Sequence, residues 1–200
     1  MNLPQTFDET VSFLAEHGAL AEGHFKLASG RHSGHYVMKG RLVQHPRIVA
    51  ALIDGVGDKL EDLGQIDAVL SPAIGGIPVG QQVAQHLGCR HIFSERDADN
   101  EMVLKRGFEI SAGERVLLVE DVITTGGTLG ELLHFVEGQG GEVAGVYVVV
   151  NRSGSDTWQD FPVVASMEIV FPTYAPEEIP DELAAIPVTK PGTKQSGAAG

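Results

Sequence analysis

The sequence predicts an α/β fold in which helices flank a doubly wound, mostly parallel sheet. Strand-like and helix-like segments alternate from Pro46 to Val150, which is the pattern of successive β-α-β units. The run 116–119 is entirely apolar, as is typical of strands that helices cover on both faces, and the run 143–150 is a strand rich in β-branched residues. The run 116–119 is therefore expected in the middle of the sheet.

A helix and a hairpin-like segment precede the alternating region. Thr6 and Glu9 have the spacing of a capping box, so a helix is expected to begin there and to end at Gly18. Residues 23–37 alternate as two strands around a turn at Ser29-Gly30. The later elements are expected in this order: a helix over 46–63, strands at 66–70 and 89–93 separated by a glycine loop (71–80) and a helix, a returning strand over 102–110, the strand 116–119, a helix over 129–136, the strand 143–150, a strand within 161–171, and a short acidic helix within 176–186.

The length of 200 residues suits one domain. We predict that this domain covers residues 1–186, with a small N-terminal hood of about residues 1–45 and a core of about residues 46–175. Residues 187–200 are small and polar, and a disordered C-terminal tail is expected there.

Composition and charge exclude several classes of function. The net charge of −13 argues against binding nucleic acid, because phosphate contacts require clustered lysine and arginine. No apolar run has the length of a membrane span, and the N-terminus lacks the pattern of a secretory signal. The single cysteine, Cys89, cannot form an internal disulfide. A cytoplasmic protein without nucleic-acid or membrane partners is expected.

The segment from Arg115 to Thr128 carries the clearest functional pattern. Its apolar run ends in the adjacent carboxylates Glu120 and Asp121, and the loop Thr-Thr-Gly-Gly-Thr at 124–128 then opens a helix. The glycines allow successive backbone N–H groups to surround an anion, while carboxylates accept hydrogen bonds from sugar hydroxyls or approach phosphate through a divalent cation. The pattern predicts a phosphorylated sugar as ligand, with magnesium. The structural alternative is an ordinary strand and turn with a capping threonine.

This segment resembles the signature with which type I phosphoribosyltransferases bind 5-phosphoribosyl 1-pyrophosphate (PRPP). The resemblance implies the fold of that family, with Mg²⁺ as cofactor. It also implies that Asp121 acts in catalysis, near the positive charge that develops on the ribose, and that Asp121 contacts Mg²⁺ indirectly. The PRPP-binding residues implied in this segment are Glu120, Asp121, Val122, Ile123, Thr124, Thr125, Gly126, Gly127 and Thr128.

The hood segment resembles the N-terminal segment of orotate phosphoribosyltransferases. The shared pattern is an aromatic residue, a Ser-Gly-Arg turn at 29–31, and then a serine followed by an aromatic residue three positions later. In that family the segment covers the pyrimidine ring. The resemblance implies orotate contacts for Ser29, Gly30 and Tyr36, and also for Thr124 of the PRPP loop.

One position of this turn departs from the family pattern. The family's basic residue before Ser-Gly is replaced by Ala28. Since side chains two residues apart on a strand share a face, Lys26 is a candidate to replace it on PRPP. Lys26 as a solvated surface lysine is the equally weighted alternative.

Three further regions match functional positions of these enzymes. The glycine loop 71–80 resembles their pyrophosphate loop, which implies that Gly75 binds PRPP, although many of them have a lysine at that position. Arg96 and Lys105 belong to a segment that resembles the mobile loop which closes over the partner's active site, and both are candidate catalytic residues. Arg152 follows the strand 143–150, where the resemblance implies an arginine that pairs with the orotate carboxylate in a planar, bidentate geometry.

The resemblance implies transfer of the 5-phosphoribosyl group from PRPP to orotate, giving orotidine 5′-phosphate and pyrophosphate in pyrimidine synthesis, by a homodimer. Two alternatives remain open at this point. One is a purine phosphoribosyltransferase on the same scaffold, and the other is a non-catalytic PRPP-binding regulator, which the missing basic residues at Ala28 and Gly75 bring into consideration.

Overall fold

The structure, a computed structural model, describes residues 3–27 and 29–191. These residues form a large core sheet with helices on both faces and a small second sheet. The strands are β1 (Leu20–Lys26), β2 (His32–Val37), β3 (Ala68–Pro72), β4 (Arg90–Arg96), β5 (Met102–Leu104), β6 (Arg115–Ile123), β7 (Glu142–Asn151), β8 (Thr157–Trp158), β9 (Phe161–Glu168), β10 (Thr173–Tyr174) and β11 (Val188–Thr189). The helices are α1 (Phe7–Glu16), α2 (Lys39–Val43), α3 (Pro46–Asp54), α4 (Gly57–Glu61), α5 (Gly76–Leu87), α6 (Gly127–Gly138) and α7 (Asp181–Ala184).

The core sheet has the strand order β5-β4-β3-β6-β7-β9-β8. Its five middle strands pair in parallel, and only the short edge strands β5 and β8 run antiparallel to their neighbours. The sheet switches direction of progression between β3 and β6, so it is doubly wound. The predicted fold class is confirmed.

Side chains of the central strands alternate between two apolar clusters. Leu117 and Val119 of β6 face a cluster that includes residues of α3 and α5, whereas Leu118 faces a cluster that includes residues of α6. This alternation follows from the two-residue repeat of a strand. Burial on both faces explains why the run was so uniformly apolar, and it fixes the position at which β6 presents its polar end.

The second sheet, which we call the hood sheet, has the order β10-β2-β1-β11. The strand β2 is antiparallel to β1 and β10, while β11 runs parallel to β1. The hood is therefore not formed by residues 1–45 alone, because β10 and β11 come from the other end of the chain. The tail prediction is wrong for Val188 and Thr189, which form β11; residues 192–200 lie outside the described part of the chain.

The predicted lengths of one helix and one strand are wrong, because the backbone bends at positions where the apolar pattern continues. The helix predicted over 46–63 is divided into α3 and α4, with Gly55 at the end of α3 packed against Leu3. The strand predicted over 102–110 ends at Leu104, because Arg106 and Gly107 have φ values of 62° and 74° that turn the chain. The capping box at the start of α1 is confirmed.

Candidate active site

A cavity of about 670 Å³ lies between the hood sheet and the carboxyl ends of β6 and β7. Open α/β sheets bind ligands at this edge. The cavity collects most of the residues that the sequence nominated, from segments far apart in the chain. The predicted residues that line it are Ser29, Tyr36, Glu120, Val122, Ile123, Thr124, Thr125, Gly126, Gly127, Thr128 and Arg152.

The two adjacent carboxylates lie inside β6 rather than after it. The strand continues to Ile123, four residues beyond the predicted end, so Glu120 and Asp121 take part in the sheet and point to opposite sides. Glu120 lines the cavity, whereas Asp121 is only 1% exposed. The Oδ1 atom of Asp121 accepts a hydrogen bond of 2.9 Å from the Nζ atom of Lys39, and its Oδ2 atom is buried with no hydrogen-bond partner among the described residues.

Burial and mutual charge change the protonation of this cluster. Burial, together with the neighbouring charge of Asp121, raises the pKa of Glu120 from 4.5 to about 7, and Lys39 partly opposes that rise. Burial alone would lower the pKa of Lys39, but the charge of Asp121 and its hydrogen bond outweigh burial, and the pKa of Lys39 is raised. The cluster therefore keeps its lysine charged and holds one carboxyl group ready to titrate near neutral pH.

The loop between β6 and α6 is enclosed from behind by Trp158. Gly126 has a φ of 75°, a conformation that side chains rarely adopt, and a Cβ atom there would overlap the Trp158 indole ring. The next residue, Gly127, begins α6, so the loop presents the N-terminus of a 12-residue helix to the cavity. Free backbone N–H groups at a helix N-terminus favour anions, and Thr124, Thr125 and Thr128 add hydroxyl groups around the same space.

Arg152 forms the opposite wall. Its backbone N–H donates to the carbonyl of Ile123 at 2.9 Å, which fixes it beside the end of β6. Its guanidinium group lies 5.8 Å from the centre of the Phe171 ring, on which His35 stacks. Burial lowers the pKa of Arg152, and its Nε atom is buried without a hydrogen-bond partner in the described structure. A buried donor of this kind is suited to a planar anionic ligand.

The hood is fastened over the cavity by Arg31. Its Nε atom donates to Thr173 Oγ1 at 2.9 Å, and its Nη2 atom donates to the Thr173 carbonyl at 2.6 Å. These bonds join the turn after β1 to β10. Ser29 and Tyr36 are thereby held on the hood side of the cavity, opposite the loop at 124–128.

Several predicted site residues lie elsewhere in this chain. Lys26 is exposed and does not line the cavity; Leu27 does, and since neighbouring strand residues face opposite ways, Lys26 points away. The proposed replacement of the missing basic residue by Lys26 is therefore not supported, and Ala28 itself lies outside the described residues. Arg96 pairs with Glu131 of α6 at 2.6 Å, and the Nζ atom of Lys105 donates to the Arg96 carbonyl at 3.3 Å.

The glycine loop approaches the acidic pair from the far side. Gly75 and Gly30 are absent from the lining of the cavity. Gly75 immediately precedes α5, and a Cβ atom built on it would lie 2.7 Å from the Oδ2 atom of Asp121. Because Asp121 is buried and held by Lys39, the backbone at this position has room for glycine but not for a longer side chain.

Sequence reasoning missed two contributors to the site. Lys39 begins the short helix α2, whose existence the sequence did not indicate, and its approach to Asp121 joins positions 82 residues apart. Trp158 was also missed, since it comes from the edge strand β8. A lysine directly after a strand that carries a predicted ligand contact was the available signal for Lys39.

Two features are absent from residues 3–27 and 29–191. These residues contain no cluster of three or more histidine, cysteine, aspartate or glutamate side chains able to hold a metal ion. They also contain no helix long and apolar enough to cross a membrane.

Comparison with known proteins identifies the class. The profile of the phosphoribosyl transferase domain family matches residues 39–175, which is more than half of the chain. The fold agrees: the structure of orotate phosphoribosyltransferase from Aeropyrum pernix has a TM-score of 0.66 at 23% identity, covering 78% of this chain and 92% of that one. Adenine phosphoribosyltransferase from Leishmania donovani has a TM-score of 0.58 at 17% identity, covering 78% of each chain. The protein is a phosphoribosyltransferase.

Curated relatives identify the branch of the family. The orotate phosphoribosyltransferase of Erythrobacter litoralis is 44% identical over 191 residues, covering 94% of this chain and 98% of the relative. Those of Chlorobaculum parvum and Caldicellulosiruptor bescii are 42% and 38% identical, and each alignment covers 98% of the relative and 96% and 94% of this chain. The chain belongs to the orotate phosphoribosyltransferase family.

Proposed function

We propose that this protein transfers the 5-phosphoribosyl group from PRPP to orotate, giving orotidine 5′-phosphate and pyrophosphate in pyrimidine nucleotide synthesis. The observation that carries the proposal is one cavity that places the threonine and glycine loop, the carboxylate of Glu120 and the guanidinium group of Arg152 around the same space. The family membership and the near-complete coverage of the curated relatives agree with it. The curated relatives, at 38–44% identity over nearly the whole chain, are orotate phosphoribosyltransferases, which favours this function over a purine phosphoribosyltransferase or a regulator.

The PRPP half of the cavity is formed by β6 and the start of α6. The 5′-phosphate would occupy the loop at 124–128, where helix N-terminal N–H groups and threonine hydroxyls converge. The ribose hydroxyls would donate hydrogen bonds to Glu120, which lines the cavity from β6, just before that loop. Gly126 is required here because the loop must pass closely beneath Trp158.

The orotate half is formed by Arg152, Ser29 and Tyr36. Arg152 has a buried Nε donor without a protein partner, and a carboxylate would supply the missing acceptor. Tyr36 lies on the hood above the same space, where a planar ring can pack against it. An anionic pyrimidine fits this pair of contacts better than a neutral purine does.

The chemistry requires positioning and charge rather than a protein nucleophile. The bond between ribose C1 and the pyrophosphate oxygen breaks, and its electron pair leaves with pyrophosphate. The pyrimidine nitrogen bonds to C1, and the proton that it carried is released to the medium. The carbon becomes positively charged as the leaving group departs, and the nearby carboxylates of β6 favour that charge electrostatically. The hood, which Arg31 fastens over the cavity, limits the access of water.

Magnesium fits the acidic cluster. Phosphoribosyltransferases generally use Mg²⁺ together with PRPP. The buried Oδ2 atom of Asp121 lacks a hydrogen-bond partner in the described structure, and carboxylate oxygens are the ligands that Mg²⁺ prefers, directly or through its water molecules. Asp121 is the residue that would hold the ion. Bound there, Mg²⁺ would neutralise charge on the pyrophosphate.

The homodimer also remains a proposal, and the positions of Arg96 and Lys105 support it. Both side chains lie outside the lining of the chain's own cavity, as expected of residues that act in the cavity of a neighbouring subunit. Sedimentation of the protein tests the oligomeric state. Mixing Arg96→Ala subunits with subunits inactivated in the cavity tests the shared site, since recovered activity is expected only if the loop acts across subunits.

The function is tested by pyrophosphate release from PRPP and Mg²⁺ with orotate, adenine, guanine or xanthine as acceptor. We expect release with orotate only. The variant Arg152→Gln should raise the KM for orotate by roughly 10-fold to 100-fold, because a charged hydrogen bond is lost, while the KM for PRPP changes little. Arg47→Gln, at an exposed arginine on α3, is the matched control. Turnover of a purine but not of orotate would overturn the proposal, and tight PRPP binding without turnover would indicate a regulator.

A further inference from the structure

Three cationic side chains line the cavity, and their partners differ. Arg31 is hydrogen-bonded twice to Thr173, and Arg152 is buried against Phe171 on the orotate side. The side chain of Lys39 is 49% exposed, and its ammonium group contacts one carboxylate oxygen, that of Asp121. An ammonium group has three donors. Lys39 therefore has N–H groups available for a ligand, at the acidic end of the cavity.

Lys39 lies close to both Asp121 of β6 and the glycine loop before α5, although neither Asp121 nor Gly75 lines the cavity. Its Nζ atom lies 2.9 Å from Asp121 Oδ1, and it lies 3.9 Å from the place that a Cβ atom of Gly75 would occupy. Gly75 directly precedes α5, a helix of 12 residues. The ammonium group thus stands between the buried Asp121 carboxylate of β6 and the glycine loop at the start of α5.

We propose that Lys39 binds the pyrophosphate group of PRPP, and that its ammonium group exchanges the Asp121 carboxylate for pyrophosphate oxygens when substrate enters. This inference rests on the proposed function, because it takes PRPP to be the substrate. In this proposal, Lys39 of α2 supplies the positive charge that many orotate phosphoribosyltransferases would supply with a lysine at the position of Gly75. A side chain at that position would displace the buried carboxylate of Asp121, whereas the Nζ atom of Lys39 already lies 3.9 Å from the place of that side chain's Cβ atom.

The electrostatics of the site make such a cation necessary. PRPP carries several negative charges, the chain has a net charge of −13, and the carboxylates of Asp121 and Glu120 both lie close enough to the Lys39 ammonium group to raise its pKa. Repulsion between like charges at short range would otherwise weaken binding. A lysine that leaves its carboxylate on substrate binding suits this task, because a flexible stem lets a compact charge move between two anions.

The test measures binding rather than turnover. Titrations in MgCl₂ compare PRPP, pyrophosphate and ribose 5-phosphate against the wild-type protein, Lys39→Met and Lys39→Arg. We expect Lys39→Met to weaken binding of PRPP and pyrophosphate by roughly 10-fold to 100-fold, the range for a lost charged hydrogen bond, and to leave ribose 5-phosphate almost unchanged. Lys39→Arg should recover most of the affinity. Lys59→Met, at an exposed lysine of α4, is the matched control.

A second comparison separates direct contact from support of Asp121. In an Asp121→Asn background, Lys39→Met should still weaken pyrophosphate binding, because the contact is with the ligand. No further loss in that background would overturn the proposal, since Lys39 would then only neutralise Asp121. Equal weakening of all three ligands, or unchanged pyrophosphate affinity, would overturn it as well. Wild-type protein that binds PRPP but does not use orotate would refute orotate as the acceptor. In that case the Lys39 titrations would still show whether Lys39 binds the pyrophosphate group.

Discussion

Glu120 makes the folded protein sensitive to pH in a direction opposite to that of most carboxylates. Burial raises its pKa from 4.5 to about 7, so the folded state keeps the proton over a range in which the unfolded state has lost it. The free energy of unfolding should therefore fall as the pH rises from about 4.5 to about 7. At pH values well above 7, Glu120 should cause no further loss of stability. The whole difference corresponds to about 3 kcal/mol, at about 1.4 kcal/mol per pKa unit.

The variant Glu120→Gln removes this titration and keeps the size of the side chain. Between pH 5 and pH 8 its stability relative to the wild type should increase by about 2.5 kcal/mol, because most of the titration window lies between these values. Urea unfolding at the two pH values measures the difference, without PRPP or Mg²⁺, since a cation near the carboxylates would lower the pKa. Glu137→Gln, at an exposed position of α6, is the control and should show no such increase. A stability difference for Glu120→Gln that is the same at pH 5 and pH 8 would refute the reasoning.

Two further predictions concern packing around the site and the core. Gly126→Ala should destabilise the protein by roughly 1–3 kcal/mol and weaken ribose 5-phosphate binding, because the alanine would have a positive φ and its Cβ atom would overlap Trp158. Urea unfolding measures the loss of stability, and titration with ribose 5-phosphate measures the loss of affinity. Unchanged values in both assays would contradict the described loop. In the core, the Tyr147 hydroxyl bonds to Ser166 Oγ at 2.8 Å, and Ser166 Oγ donates to the Leu52 carbonyl at 2.9 Å. Tyr147→Phe should lower the free energy of unfolding in urea by about 1 kcal/mol. Ser166→Ala should lower it more, since both the Tyr147 hydroxyl and the Leu52 carbonyl would lose a hydrogen bond. A larger loss for Tyr147→Phe than for Ser166→Ala would contradict this network.

The centre of the sheet and its ligand loop were predictable because their signals are local. An apolar run, two carboxylates and a loop of glycine and threonine are adjacent in the chain, and the alternation of strands with helices determines that such a loop lies at the carboxyl edge of the sheet. Arg152 was predictable for the same reason, since it directly follows a strand that pairs with β6. These residues reach the cavity through the backbone path of their own strands.

The remainder of the site depends on contacts between distant segments. Nothing in the sequence distinguishes Lys39 from an ordinary surface lysine. Its carboxylate partner, Asp121, is brought to it only by the packing of α2 beside β6. Lys26 was placed by strand alternation, but β1 ends at that residue, and the following turn brings Leu27 and Ser29 to the cavity instead. The residues of the predicted mobile loop illustrate the same limit, because the ion pair of Arg96 with Glu131 joins a strand end to a helix 35 residues later.

The parallel pairing of β11 with β1 has a consequence for how the protein is made. Residues 188–189 follow every strand of the core sheet in the chain, so a ribosome releases all seven core strands before the hood can gain its fourth strand. The open edge of β1 stays unpaired during that interval, and unpaired strand edges attract other chains. During synthesis, the hood sheet over the cavity is the last part of the described fold to be completed.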